Sequence, residues 1–257
     1  MVDKIYKVIL QLVIDLRRYP DIFMTEGDLH SHLFSKLLEI PELHQRQRTE
    51  NGSVSIPIHS EISFFGRNRR LENRVDIAIF DVTQLETQVR DSGKGFLFGD
   101  SQFGIEIKLN RNGGKKQVLK GINHDMIKIG RLKGLNPEAI FIVLYFDKMN
   151  RLSKEELIEI TKSFQHGDMI YTNKDFSFMS FIVKCGGKVW KFHKYDPDDI
   201  FPSKLHGHNH EDKEKVDVYT GEVFDATTRQ LKRKLGKQEL NRIQEECRKR
   251  GFVTDMG

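Results

Sequence analysis

The sequence predicts an α/β fold around a mixed central sheet, in the element order αβββαβ, and three observations carry that expectation. Apolar residues recur at helical spacing near the N-terminus. Three segments between residues 53 and 109 place alternate apolar side chains on one face. A helical pattern over 115–133 then leads to the short apolar run Ala139 to Phe146, which reads as a strand buried on both faces.

Taken in order, Val2, Ile5, Val8, Ile9, Leu12, Val13 and Leu16 form one stripe, an amphipathic helix over 2–18 that stops near Pro20. A second helix starts at about Thr25, an N-cap with Asp28 three residues on, and runs to Ile40 before Pro41. Residues 42–52 (ELHQRQRTENG) are polar and turn-like. The strand candidates are 53–65, alternating in its second half, then 73–82 with Val75, Ile77 and Ile79 on one face, then 103–109 with Ile105, Ile107 and Leu109 on one face. The connection TQLETQVRDSGKGFLFGDSQ is long and expected to be a surface excursion. The crossover helix carries Val118, Ile122, Met126 and Ile129. After the buried strand, Ser153 caps a helix over 153–164 with Glu156 at the capping-box position. SFMSFIVKC and KVWKFHKY then flank Gly186 and Gly187, a two-glycine hairpin turn. Residues 196–215 read as a polar linker, and a basic helical tail interrupted at Gly236 ends the chain. The expected organisation is a core with its N-terminal helix over 1–165, a β-hairpin extension over 166–200, and the linker and basic tail over 201–257.

Composition narrows the class. The chain has 257 residues, the length of one full α/β domain or of one domain with a small appendage. With 38% hydrophobic and 31% charged residues and a mean hydropathy of −0.51, it is polar yet able to bury a core. Its 18 Phe, set in dense apolar blocks, argue against intrinsic disorder. The longest apolar run is far short of the ~20 residues of a membrane helix, and charges interrupt the N-terminus too often for a secretory signal. Cys185 and Cys247 do not make a disulfide scaffold, so a reducing, cytoplasmic setting is expected. The net charge of +5 is a property of the tail: residues 229–251 carry +6 and the remainder −1. Such a tail can track phosphates, or simply be a solvated helix.

The chemistry is expected at Glu106 and Lys108. In a strand these share a face, while Ile105, Ile107 and Leu109 point into apolar packing. A second Glu-x-Lys, Glu211 to Lys213, lies in the polar linker and carries no weight. If the preceding strand pairs antiparallel, Asp76 lies across from Glu106. Two carboxylates that close repel unless a cation sits between them, and all-oxygen ligation suits Mg²⁺ or Mn²⁺. A lysine beside them can stabilise a pentavalent phosphate or tune an attacking water. The alternative is an acid and a Glu–Lys pair on the solvent face of a half-exposed sheet. Glu26 shares the inward stripe of Leu29, Leu33 and Leu37, or serves as a first-turn acid on the helix dipole.

A helix with an inward Glu, strands bearing Asp and then Glu-x-Lys, a crossover helix and a further strand resemble the core of the PD-(D/E)XK nuclease superfamily, over roughly residues 22–147. Val75 stands where the family's name has proline. The resemblance implies a restriction-endonuclease-like fold and a metal-dependent nuclease, acting on DNA in preference to RNA. It implies that Asp76 and Glu106 hold Mg²⁺ or Mn²⁺ with help from the Ile107 carbonyl. Lys108 would position or activate the water, and Glu26 would be the helix carboxylate of the site. On this reading Arg67, Arg69, Arg70 and Arg74, with Lys115, Lys116 and Lys120, flank the acids and grip phosphates; otherwise they are loop charge. His59 and Glu61 extend the site or are an exposed pair. Cleavage of both strands would need a homodimer or sequential nicking. The rival class is a catalytically inactive nuclease-fold module that binds nucleic acid or another partner. His206, His208 and His210, in a linker without rigid surroundings, are not expected to hold a functional metal. Trp190 and its neighbouring Phe residues read as hairpin packing, and Cys185 lacks an activating partner.

Overall fold

Helical spacing at the N-terminus becomes α1 (Val2–Arg18), which buries Ile5, Tyr6, Ile9, Leu12, Val13 and Leu16. The computed structural model describes residues 1–50, 52–65, 71–84, 87–90, 93–96, 101–194 and 201–252. Next, α2 (Glu26–Leu38) opens on a reciprocal capping box: the Thr25 hydroxyl accepts from the Asp28 amide at 3.0 Å, and the Asp28 carboxylate accepts from the Thr25 amide at 2.9 Å. A short α3 (Pro41–His44) and a two-stranded ribbon, β1 (Gln47–Arg48) with β2 (Val54–Ser55), lead into the sheet.

The sheet begins with β3 (Ile58–Phe65) and β4 (Leu71–Phe80). It continues through β5 (Thr87–Arg90), β6 (Gly93–Phe96), β7 (Ser101–Asn110) and, after α4 (Lys115–Leu135), β8 (Ile140–Asp147). Helix α5 (Lys154–Lys162) precedes β9 (Asp168–Thr172), β10 (Ser177–Cys185) and β11 (Lys188–Lys194). Beyond them come β12 (His206–Asn209), β13 (Glu214–Asp217), β14 (Glu222–Asp225), β15 (Leu231–Lys234) and α6 (Lys237–Lys249). The strands form one 13-stranded sheet in the order β15-β14-β13-β12-β11-β10-β9-β8-β7-β4-β3-β6-β5. At its centre β7, β8 and β9 run parallel, joined by the crossover helices α4 and α5, and β3 pairs parallel with β6; the remaining pairs are antiparallel. The protein is therefore α/β with a large mixed sheet.

Alternation along β8 explains the layering. Ile142, Leu144 and Phe146 join the cluster under α1 and α2, whereas Phe141, Val143 and Tyr145 join the cluster under α4 and α5. Both faces of the central strand are thus covered, as its unbroken apolar run requires. A third cluster, around the fully buried Trp190 and Phe192, packs β10 to β14 against Ile243 and Cys247 of α6. The hairpin turn forms as read, Cys185 opposite Lys188, with Gly186 and Gly187 at φ +57° and +72°, the left-handed pair such a turn demands.

Three expectations are corrected. The surface excursion after β4 contains β5 and β6, because the open edge of β3 offers unpaired backbone groups that the returning chain takes up. The polar linker over 196–215 contains β12 and the start of β13, paired with each other and with β11. Its polar composition is compatible with burial because Glu214, 4% exposed, is met by Lys188 at 2.7 Å, Lys232 at 3.2 Å and Arg233 at 3.4 Å. The basic tail is helical only from Lys237; Leu231–Lys234 is a strand. The histidines accordingly stand on and beside β12, with ring centroids of His206 and His208 4.7 Å apart and His193 of β11 5.7 Å from His208. Among the described residues, no helix is long and apolar enough to cross a membrane.

Candidate active site

Where β4 leaves β7, two backbone amides of β7 lose their strand partner, and acidic side chains replace it. The antiparallel ladder runs to Ile77 opposite Ile105. One residue further, Asp76 lies across from Glu106, and its Oδ2 accepts from the Ile107 amide at 2.7 Å. Two residues on, the Leu109 amide donates to Oε2 of Glu26, the first residue of α2, at 3.1 Å. Asp76 is itself fixed from α2, since its carbonyl accepts from His30 Nε2 at 3.0 Å. The carboxylates of Asp76 and Glu26 therefore pin α2, β4 and β7 together.

Glu106 and Lys108 project from the opposite face of β7 to Ile105 and Ile107, toward α4. Glu106 is 2% exposed, and neither carboxylate oxygen makes a well-formed hydrogen bond. Lys128 of α4 brings its Nζ within 2.6 Å of Oε1, an ion pair out of line for a hydrogen bond, and donates to the Arg74 carbonyl at 2.9 Å. Burial pushes the Glu106 carboxyl up to about 7; Lys128 opposes the shift, while Asp76 and then Asp125 add to it. Lys108 Nζ lies 3.6 Å from Glu26 Oε1. Burial alone would pull its pKa down, but Asp125, Glu26, Asp76 and Glu106 together outweigh burial and hold it above the ordinary value. Lys108 is thus a charged ammonium at neutral pH. Beside it in register, the Tyr145 hydroxyl is pushed up to about 12 by burial and by Asp147, Asp125 and Glu26.

The structure brings Glu26, Asp76, Glu106 and Lys108 into one cluster and adds two residues from α4. Asp125 is 1% exposed, with Oδ2 buried and lacking a hydrogen bond. Its signal was present in the sequence: it falls three residues after Ile122 and four before Ile129, an acid inside an apolar helical stripe. Lys128 follows it by three positions. Four carboxyl groups, one of them the Glu106 carboxyl raised to about 7, then surround two ammonium groups.

The oxygen donors and the unpartnered Oε2 of Glu106 fit a hard divalent cation, which would compete with Lys128 for Oε1. Among the described residues, no three His, Cys, Asp or Glu side chains are grouped to hold a metal by themselves. An ion here would take Asp76 and Glu106 with the Ile107 carbonyl, and complete its shell from water and substrate, as Mg²⁺ commonly does.

Other predicted residues lie elsewhere. Arg67, Arg69 and Arg70 fall outside the described residues. Arg74 pairs with Glu61, which has φ +57°, and Lys115 pairs with Glu156. Lys116 is exposed in the first turn of α4. His59 meets the Ser55 hydroxyl at 3.1 Å and packs edge-on against Phe80, and burial lowers its pKa.

The raised Glu106 pKa has a measurable sign. Folded, the group holds its proton up to about pH 7; its ordinary value is 4.5. The stabilisation from that proton is complete below 4.5 and lost as pH rises through 7. Relative to Glu106→Gln, which cannot titrate, the wild type is expected to lose about 3 kcal/mol between roughly pH 4 and pH 8. Urea unfolding in EDTA across that range measures it; a pH-independent difference would show that the carboxyl is not held in a low-dielectric site.

Comparison with known proteins yields no relative: no protein-family model, no curated protein and no solved structure matches the chain, which leaves the residues themselves as the basis for its chemistry.

Proposed function

We propose that the chain is a metal-dependent nuclease that hydrolyses phosphodiester bonds, with DNA preferred over RNA, in the manner of the PD-(D/E)XK superfamily its sequence resembles. The supporting observation is the buried Glu106 carboxylate, set across from Asp76, ion-paired to Lys128 at one oxygen and without a protein partner at the other, with the Lys108 ammonium held beside the same acids. Asp76 and Glu106, with the Ile107 carbonyl, are the residues that hold Mg²⁺ or Mn²⁺. Such an ion, when bound, supplies Lewis-acid stabilisation and an acidified water.

The remaining roles belong to side chains. Lys108, kept protonated by its acidic neighbours, donates to the scissile phosphate or to the attacking water and stabilises charge as it develops. Glu26 orients Lys108 and holds the end of β7. Lys128 balances Glu106 when no other cation does. Arg74, paired with Glu61, Lys115, paired with Glu156, and Lys116 are exposed cations suited to phosphate contact. A cytoplasmic setting and a homodimer acting on both strands belong to the same proposal.

A second reading has one observation in its favour. Asp76 and Glu26 already serve as backbone acceptors, and Glu106 already has Lys128, so the cluster is partly self-satisfied, as an inactive binding module would be. Incubating supercoiled plasmid and labelled single strands with purified protein in Mg²⁺, Mn²⁺ or EDTA separates the two. The nuclease reading expects metal-dependent cleavage abolished by EDTA. Nucleic-acid binding indifferent to metal, without cleavage, supports the module instead.

A further inference from the structure

At the far end of the sheet from Lys108, a cavity of about 560 Å³ opens between α4, the start of β8 and β9, β10 and α6. The register Phe103 to Ile140 and Lys108 to Tyr145 separates the cavity from the acidic cluster by five residues, roughly 17 Å along the strands. Its volume lies in the range of small-molecule sites, about 300–1,000 Å³.

The charge on its walls is unbalanced. Asp168 and Glu246 are both committed to Arg250, and Glu246 also meets Lys249 at 3.0 Å. What remains is three cations, Lys133 from α4, Lys184 from β10 and Arg242 from α6, against one carboxylate, Glu138, and among the described residues none of these four forms an ion pair. Lys133 has only the Pro137 carbonyl, at 2.6 Å. His166 stands among them: burial, then Lys184 and Lys133, lower its pKa. Lys133 is lowered by burial too, with Arg250 and Lys184 against it and Asp168 and Glu138 in its favour. Cations supplied by three separate elements around one recess, Lys133 partly buried and Lys184 and Arg242 exposed, offer an anion several contacts at once.

We propose that this cavity binds a small polyphosphate, either free pyrophosphate or the phosphate chain of a nucleotide, at a site separate from the acidic cluster. Several linked phosphates match several donors spaced around a recess, and Arg and Lys both suit phosphate oxygens. The site does not depend on the nuclease reading.

Isothermal titration of the full chain in EDTA tests it, with pyrophosphate, ATP and a short DNA duplex as probes. EDTA removes any divalent ion that would carry phosphate to Glu106 and Asp76. Saturable binding of pyrophosphate or ATP is expected, weakened about tenfold or more by Lys184→Ala or Arg242→Ala, whose side chains are exposed, and unchanged by Glu106→Gln. Equal affinity for both probes identifies free polyphosphate as sufficient; much tighter ATP identifies a nucleotide. The proposal is overturned if neither probe saturates at millimolar concentration, if both variants bind as the wild type does, or if only the duplex responds to them.

Discussion

Lys108→Ala is expected to lower metal-dependent cleavage by about 10³-fold while leaving divalent-ion binding as tight as in the wild type or tighter. The ammonium competes with a cation for the field of Asp125, Glu26, Asp76 and Glu106, so its removal favours the ion even as the chemistry fails. Lys108 is only partly buried, and its loss removes no backbone hydrogen bond. Asp76→Asn gives the complementary result: the carboxamide oxygen still accepts from the Ile107 amide, so the fold survives and ion binding is lost with cleavage. Single-turnover cleavage together with calorimetric Mn²⁺ titration of both variants checks the pair. Cleavage retained in Lys108→Ala would remove the lysine from the mechanism, and an inactive module would show no activity to lose.

Arg250→Ala is expected to cost about 3–5 kcal/mol of stability and to lower the melting temperature on the order of 10 °C. Arg250 is 4% exposed, with Nε 2.7 Å from Asp168 Oδ2 and a second ion pair to Glu246. Its guanidinium also lies over the rings of Tyr6 and Phe181, at 5.7 Å and 4.9 Å, and the Tyr6 hydroxyl donates to Asp168. Removing the cation strands a carboxylate in the interior, which costs more than the pair itself contributes. Adding Asp168→Asn to Arg250→Ala should therefore recover part of the loss, a coupling that thermal denaturation of the single and double variants reads directly. A cost below about 1 kcal/mol would place Arg250 among ordinary surface ion pairs.

Local rules made much of this architecture legible. Thr25 with Asp28 and Ser153 with Glu156 form the capping boxes their spacing announces, and the antiparallel pairing on which the Asp76–Glu106 juxtaposition depended is present. Val75, however, packs in the opposite cluster to Ile77 and Ile79 rather than on one face with them. Non-local pairing hid the rest. Nothing in GKGF indicates that β3 lies beside it, and HGHN looks like a linker because its burial rests on pairing with the neighbouring strands β11 and β13 rather than on apolar residues of its own. Asp125 escaped notice although the logic that singled out Glu26 applies equally to it. The basic tail, read as phosphate-tracking or as a solvated helix, is in part neither: Arg250 is interior and Lys232, Arg233 and Lys249 have acidic partners.

The two acids that stand in for a missing strand limit how such a chain can drift or be redesigned. Changing Asp76 or Glu26 to an apolar residue would silence the charge and also fray β7, because the amides of Ile107 and Leu109 would be left bare. Asn and Gln retain the accepting oxygen. A lineage or an engineer wanting the scaffold without its charge would have to pass through the carboxamides, and a cleft made neutral in that way would keep the shape of its acidic ancestor.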